Sequence, residues 1–195
     1  KILPMKKKSA CGVVKPGSVW YSEAEKIERR ALGLPVDGPA GRGCIKQLPK
    51  GRVPIAKKAI TYERVLNEAF CYGSAFTRGL RLELPGFTQL LISGTASIGT
   101  NGESLYPGDF RAQLWRTYHN ITGLLESEGA TWHDIVRTSC YLRDIDRDYA
   151  EFNKVRNEFF DAMGLDPYPA STGIQAGICR SDLLIEIEAI AIILK

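Results

Sequence analysis

Two glutamates near the end of the chain are the residues best suited to acid/base chemistry. Glu186 and Glu188 alternate with the apolar Ile185, Ile187 and Ala189. Because side chains alternate across a β-strand, this pattern predicts a strand with both carboxylates on one face. A carboxylate held among apolar residues either meets a cation or has a raised pKa, and both outcomes serve proton transfer. The alternative is that both glutamates simply face solvent, as polar residues of alternating strands usually do.

Cysteine and histidine usage argues against other catalytic centres. The five cysteines are odd in number, far apart and without a C-x-x-C pair, so they predict neither a disulfide framework nor a zinc site. The two histidines form no metal cluster and complete no Ser-His-Asp set. We therefore expect neither a metal nor a cofactor. These residues are Cys11, Cys44, Cys71, Cys140, Cys179, His119 and His133.

Charge is unevenly distributed along the 195 residues. Residues 1–60 hold 14 Lys and Arg against 4 Asp and Glu, whereas the remaining residues hold 12 against 18. A basic amino-terminal arm could bind nucleic acid or another anion. It lacks interleaved aromatic residues and any nucleic-acid module, so packing on the acidic body of its own or a neighbouring chain is favoured.

The arm is predicted to span residues 1–70 and to precede a domain at residues 71–195. Ser22 and Glu25 have the spacing of a capping box that opens a short helix before Gly33. A Gly- and Pro-rich loop follows over residues 33–54, and Tyr62–Phe70 is predicted as a second short helix. No run approaches the ~18 apolar residues of a membrane span. The lysine-rich start precedes no signal-type apolar stretch, so a cytoplasmic protein without a membrane partner is expected.

The domain has the element order β-β-α-β-α-β-β, typical of an α+β fold with two helices on one face of a sheet. Asp109 is the predicted N-cap of the first long helix, and Gly129 and Gly164 are the predicted helix ends. Pro85-Gly86 is the predicted turn of the first hairpin. The predicted strands are Ala75–Leu82, Gln89–Ile98, Ile135–Leu142, Ala170–Ile178 and Leu183–Ile193.

Several motifs of this domain resemble the YjgF/Rid superfamily over roughly Ser74–Leu194. They are SGTASI, YPGD, the helix LRDIDRDYAEFNKVRNEFF, P-A-S-T and IEIEAIAI. The resemblance implies a chorismate-mutase-like mixed sheet that forms a homotrimer around a closed barrel, with small-molecule clefts between subunits. Such a trimer would bury the helix-free sheet face, which we predict to hold Leu91, Ile185 and Ile187.

The resemblance implies hydrolysis of reactive enamines and imines to 2-keto acids and ammonia. In that superfamily an arginine of a P-A-R-S motif binds the substrate carboxylate, a glutamate positions water and a tyrosine lines the pocket. The matching positions here are Ser171, Glu186 and Phe76. Because Ser171 cannot clamp a carboxylate, the candidates for a replacement cation are Arg78, Arg143 and Arg180.

SGTASI together with CRSDLLIEIE is also similar to the carboxy-terminal part of chorismatases, YjgF-like enzymes that hydrolyse an enolpyruvyl ether. There a glutamate of the last strand is the acid/base, and a cysteine seven residues earlier marks one product type. Glu186 and Cys179 have this spacing. Thr172 and Gly94 complete the predicted substrate-binding set, since a glycine inside a strand indicates a bulge or a close approach.

Three functions remain open at this point. The first is a chorismatase-like hydrolase that uses Glu186 to add water to an enol ether or enamine of a carboxylated metabolite. The second is a Rid-type deaminase, and the third is a non-catalytic trimer that binds such a metabolite. A ribonuclease activity, also attributed to the superfamily, is the weakest.

Overall fold

The computed structural model describes residues 21–34, 36, 55–67 and 75–195. The chain divides into two compact units, Lys1–Pro54 and Ile55–Lys195. In the first unit, helix α1 spans Glu23–Ala31, and the Ser22 side chain accepts a hydrogen bond from the Glu25 backbone N–H. The Ser22 half of the predicted capping box is thereby confirmed. The loop predicted at residues 33–54 lies mostly outside the described residues.

The second unit is one six-stranded mixed sheet with two long helices on one face. The strand order across the sheet is β1-β2-β3-β6-β4-β5, and only the β4–β5 pair is parallel. The α+β class and the predicted order from β2 onward are confirmed. The strands are β1 (Ala56–Ile60), β2 (Gly79–Leu84), β3 (Phe87–Ala96), β4 (Ile135–Leu142), β5 (Ala170–Gln175) and β6 (Ile185–Leu194), and the helices are α2 (Phe110–Glu126) and α3 (Ile145–Ala162).

Strand β1 was not predicted, and it lies in the range assigned to the arm. It pairs antiparallel with β2, and its last residue, Ile60, is fully buried in the core. The short helix predicted at Tyr62–Phe70 is wrong for the described residues, which form turns after β1. Val65 and Leu66 are nevertheless buried there, because this turn segment covers part of the core.

Local signals set most element ends as predicted. Gly86 adopts a φ of 85° in the β2–β3 turn, a conformation that glycine reaches without strain. The Asp109 side chain accepts a hydrogen bond from the Ala112 backbone N–H and caps α2. Gly129 and Gly164 follow α2 and α3 with φ values of 72° and 65°. These turns and caps fix the ends of the strands and helices that surround β3 and β6.

The alternation in β6 directs Ile185 and Ile187 to one face of the sheet and Glu186 and Glu188 to the other. Ile185 and Ile187 are buried against the helices, so their predicted place on the helix-free face is wrong. The register puts Leu91 opposite Ile190, and these two residues lie on the helix-free face with Glu186 and Glu188. The apolar residues of that face are half-buried and comprise Leu80, Leu82, Leu84, Phe87, Leu91, Ile190 and Ile192.

Among the described residues, no helix is long and apolar enough to span a bilayer.

Candidate functional site

A bulge in β3 makes room for the Glu186 carboxylate. The β3–β6 register shifts between Ile92 and Thr95, so the intervening Ser93 and Gly94 leave the regular ladder. A Cβ on Gly94 would overlap Glu186 Oε1 and would lie 2.8 Å from its Cδ. Gly94 thus allows the carboxylate to lie directly against the β3 backbone, as the sequence analysis predicted for a glycine within a strand.

Glu186 is partly shielded from water in this position. Burial raises the pKa of its carboxyl group above the ordinary value, and the negative charge of Glu188 adds to the rise. The positive charge of Arg78 opposes it. A carboxyl group with a raised pKa can hold a proton closer to neutral pH, which is the property that a general acid requires.

Glu188 lies on the same face but has a different environment. Its side chain is exposed, and its Oε2 accepts a 2.8 Å hydrogen bond from the Tyr141 hydroxyl. This bond is the leading reason why the pKa of Tyr141 is raised. Glu188 therefore faces solvent, as the alternative interpretation of the strand pattern predicted, whereas the Glu186 carboxylate is half-buried.

The Glu186 carboxylate opens into a cavity of about 400 Å³. This volume is within the range of small-molecule sites. Five of the eight residues predicted for the site line it together, namely Phe76, Arg78, Gly94, Cys179 and Glu186. Apolar walls are added by Ala96, Ile98 and Leu183. Gly94 and Glu186 are 92 positions apart in the sequence, and the β3–β6 pairing brings them together.

Two arginines also line this cavity. Arg78 is buried, and its Nε and Nη2 donate to the Asn67 backbone and side-chain oxygens at 2.9 and 3.0 Å. Its guanidinium lies 5.5 Å from the centre of the Phe76 ring. Arg180 Nη1 donates to the Gly102 carbonyl at 2.7 Å. Both guanidiniums are held in place by the protein, so they present a fixed positive field to an anionic ligand.

Arg143, another predicted binding residue, supports the cavity from behind and does not line it. Its Nε donates to the Leu183 carbonyl at 2.6 Å, and Nη2 donates to the Ile178 and Arg180 carbonyls. The guanidinium thus fixes the segment between β5 and β6 that carries Cys179 and Arg180. Its observed contacts are those of a positioning residue.

Gln113 on α2 holds the same segment from the other side and was not identified from the sequence. It is fully buried, its Nε2 donates to the Asp182 carbonyl, and its Oε1 accepts from the Leu184 N–H, both at 2.8 Å. A glutamine on the inward face of an otherwise apolar helix is the signal that could have indicated it, because a buried amide needs hydrogen-bond partners.

The predicted residues Ser171 and Thr172 lie on β5, away from this cavity. Thr172 Oγ1 accepts from Arg137 Nη2 at 3.3 Å, and Ser171 Oγ accepts from Thr138 Oγ1 at 3.0 Å. Ser171 lines a separate cleft between α3 and β5, together with Arg156. In one chain, therefore, the structure does not bring Ser171 and Glu186 into one cavity.

Within the described ranges, no three His, Cys, Asp or Glu side chains group in a way that could hold a metal ion. The described residues of the cavity offer one half-buried carboxyl group, that of Glu186, and the guanidinium groups of Arg78 and Arg180.

Sequence and structure comparisons place this chain in a known family. The family model described as Endoribonuclease L-PSP matches residues 87–193, which include β3, Gly94, β6 and Glu186. The chain belongs to this family. A RutC family protein of Pyrococcus abyssi is 32% identical over 102 residues, which cover 52% of this chain and 76% of the relative.

Solved structures of the family share the fold. The YjgF gene product of E. coli is 25% identical with a TM-score of 0.57, and the match covers 69% of this chain and 97% of that one. E. coli TdcF, solved with bound serine, is 23% identical with a TM-score of 0.58 and is matched over 98% of its length. The predicted YjgF/Rid relationship is thus confirmed at the level of family and fold.

Proposed function

We propose that this protein is a small-molecule hydrolase in which Glu186 is the acid/base. The observation that carries the proposal is the half-buried Glu186 carboxyl group, whose pKa is raised by burial, at the wall of a cavity that also contains Arg78 and Arg180. A group that holds and returns a proton beside fixed cations suits a substrate with a carboxylate and a protonatable double bond.

The reaction that we propose follows from this combination of a protonatable carboxyl group and fixed cations. Protonated Glu186 gives its proton to the terminal carbon of an enamine or enol ether, which leaves a cation at the carbon bearing nitrogen or oxygen. Water adds to this carbon and returns a proton to the Glu186 carboxylate. The adduct then expels ammonia from an enamine, or an alcohol from an enol ether, and a 2-keto acid remains. One water is consumed and the enzyme regains its starting protonation state.

The enamine is the first candidate substrate class, since the YjgF/Rid resemblance implies enamine and imine deamination. The presence of two arginines around Glu186 favours a second candidate, the chorismatase-like hydrolysis of an enol ether that carries two carboxylates. A ribonuclease function has less support, because one half-buried carboxyl group in a cavity of about 400 Å³ suits a small molecule better than a polynucleotide.

We also propose that the protein acts as a homotrimer and that residues 1–60 pack on the domain or a neighbour instead of binding nucleic acid. The trimer is supported by the half-buried Leu and Ile residues of the helix-free face, which would form a large apolar patch on a monomer. A neighbouring subunit against this face would also narrow the open side of the Glu186 cavity.

The purified protein should be tested with freshly generated 2-aminoacrylate and with chorismate, each followed for pyruvate, with ammonia measured in the first case. Release of pyruvate from either compound above the uncatalysed rate would support the hydrolase and select the substrate class. Binding of either compound without turnover would favour a metabolite-binding protein. Cleavage of RNA with no turnover of either compound would contradict the proposal.

A further inference from the structure

The turn segment that follows β1 and leads to Asn67 is hydrogen-bonded to α2. Its Val65 side chain is buried, and the Val65 carbonyl accepts a 2.6 Å hydrogen bond from Arg116 Nη2. Arg116 also donates to the carbonyl of Ile98, a residue that lines the Glu186 cavity. The same arginine therefore ties this turn segment to the wall of the cavity.

Asn67 binds the guanidinium of Arg78 with two oxygens. Its backbone carbonyl accepts from Nε at 2.9 Å, and its side-chain Oδ1 accepts from Nη2 at 3.0 Å. Two bonds to one edge of the planar group restrain both its position and its plane. Because Arg78 is buried and lines the Glu186 cavity, the orientation that Asn67 imposes is the orientation that a ligand meets.

Asn67 also packs against Gly102, which supports the second arginine of the cavity. The Gly102 carbonyl accepts a 2.7 Å hydrogen bond from Arg180 Nη1. A Cβ on Gly102 would lie 2.6 Å from Asn67 Nδ2, so a side chain could not be added there without moving the amide. Contacts from Arg78 to Asn67, from Asn67 to Gly102 and from Gly102 to Arg180 thus connect the two cations.

Arg78 is the cation that lowers the pKa of Glu186, against the effects of burial and of Glu188, which raise it. The titratable and charged groups around Glu186 are Arg78 before β2, Tyr141 on β4, Cys179 and Arg180 between β5 and β6, and Glu188 on β6. Because the field of a charge depends on its distance, the position of Arg78 influences how readily Glu186 holds a proton.

We propose that Asn67 is a positioning residue that, together with Gly102, holds Arg78 and Arg180 in fixed places around Glu186. Asn67 itself does not line the cavity, so it acts through Arg78. A neutral amide suits this role, because it orients the guanidinium without offsetting its positive charge, as a carboxylate would. The relevance of Asn67 to catalysis rests on the acid/base function proposed for Glu186.

Asn67→Asp tests the neutral amide, since it keeps both oxygens that Arg78 binds and adds a negative charge. Carbon NMR of the full-length protein, labelled at glutamate Cδ, would follow the titration, and Glu186→Gln would assign the signal. Above the wild-type midpoint, the protonated fraction of Glu186 should be about threefold to tenfold larger in Asn67→Asp. Asn157→Asp, the same change at an exposed position of α3, should leave the titration unchanged.

Gly102→Ala tests the contact with Asn67 without changing a charge. Gly102 and Gly86 both have a φ of 85°, so an alanine strains the backbone alike at the two positions. The new methyl group meets the Asn67 amide at Gly102, whereas it has nothing within 4 Å at Gly86. Gly102→Ala should therefore change the midpoint of the Glu186 titration, and Gly86→Ala should not. Thermal melting checks that all variants remain folded.

An unchanged Glu186 titration in folded Asn67→Asp would overturn the positioning role, as would equal changes in Gly102→Ala and Gly86→Ala. If Asn67→Asp does not fold, Asn67→Ala, which removes only Oδ1 from Arg78, decides in the same measurement.

Where a substrate is turned over, the pH profile of kcat/KM is a second readout. The activity of Asn67→Asp should persist to higher pH than that of the wild type, because Glu186 acts in its protonated form. A wild type that turns over neither 2-aminoacrylate nor chorismate would contradict the hydrolase, but the NMR titration would still test Asn67. The two failures are therefore distinguishable.

Discussion

The Tyr141 hydroxyl donates a 2.8 Å hydrogen bond to Glu188, and this contact separates the roles of two glutamates that the strand places on one face. Glu188 is exposed and has a neutral partner. Glu186, two residues earlier, lies against the bulge at Gly94 and has a raised pKa. Of the two, Glu186 is therefore the residue that we propose as the proton donor.

Glu186→Gln should lower turnover of an accepted substrate by roughly 10²–10⁴-fold, since the amide keeps the shape but cannot deliver a proton. Substrate binding should be largely retained. Steady-state kinetics would show this as a fall in kcat with a small change in KM.

Glu188→Gln is the matched control for that measurement, because it makes the same chemical change two residues along the same face. Its kcat should stay within severalfold of the wild type. Equal losses in the two variants would indicate a structural carboxylate pair, and wild-type turnover by Glu186→Gln would exclude this strand as the catalytic element.

The raised pKa of Glu186 also predicts a pH-dependent change in stability. Between the ordinary value of 4.5 and the raised value, the folded state binds more protons than the unfolded state. Stability therefore falls as the pH rises through this window. Glu186→Gln removes the ionisation, so its Tm should exceed that of the wild type at neutral pH. The difference should shrink toward zero at pH 4, where both wild-type states hold the proton.

Melting curves at pH 4 and pH 7.5 would measure this effect. A variant that is less stable than the wild type at pH 7.5, but not at pH 4, would show that the Glu186 carboxylate is stabilised by its surroundings. That outcome would contradict a carboxyl group destabilised by burial.

Gly94→Ala should displace the Glu186 carboxylate, because the new methyl group would occupy the place of Oε1. A displacement of about 1 Å at a catalytic group can cost about 10²-fold in rate, so a loss of this order in kcat is expected. Circular dichroism should show that the sheet persists. Gly177→Ala, where a Cβ meets nothing within 4 Å, is the control and should keep near-normal activity.

The helix-free face supplies a prediction about assembly. Light scattering at micromolar concentration should give a mass about three times the 21.6 kDa of one chain. Ile190→Glu should shift the protein toward the monomer, because a charge at the centre of this face cannot be buried without a partner. Lys154→Glu on exposed α3 should leave the trimer intact. A wild-type mass near 21.6 kDa would contradict the proposed trimer.

Periodicity in the sequence was sufficient to predict the strands and helices from β2 onward. Each has a clear apolar pattern and a local end signal such as Asp109 or Gly164. Strand β1 was missed since Ala56–Ile60 contains two adjacent lysines and only one buried residue. Its pairing with β2 determines its conformation, and such tertiary context is not visible in a local window.

Site residues that belong to a local sequence pattern were predictable, whereas contacts that depend on how the strands pair were not. Glu186 and Gly94 were identified from strand patterns, whereas their contact results from a bulge between Ile92 and Thr95. Ile185 and Ile187 were placed on the wrong face because alternation shows which residues share a face but not which face meets the helices. Gln113 was not identified, since a polar residue on a helix usually faces solvent.

The hydrogen bonds that Arg143 and Gln113 make to residues 178–184 hold one wall of the Glu186 cavity in place. Residues 178–184 are hydrogen-bonded to Arg143, which follows β4, and to Gln113 of α2, so this segment cannot open as a lid. The Leu184 amide proton, which is donated to Gln113 Oε1, should therefore exchange slowly with solvent. We therefore expect a ligand to enter past Phe76, which also lines the cavity and is 41% exposed. Movement of the Phe76 ring, on a nanosecond timescale, would widen this entrance while the segment that carries Cys179 and Arg180 stays in place.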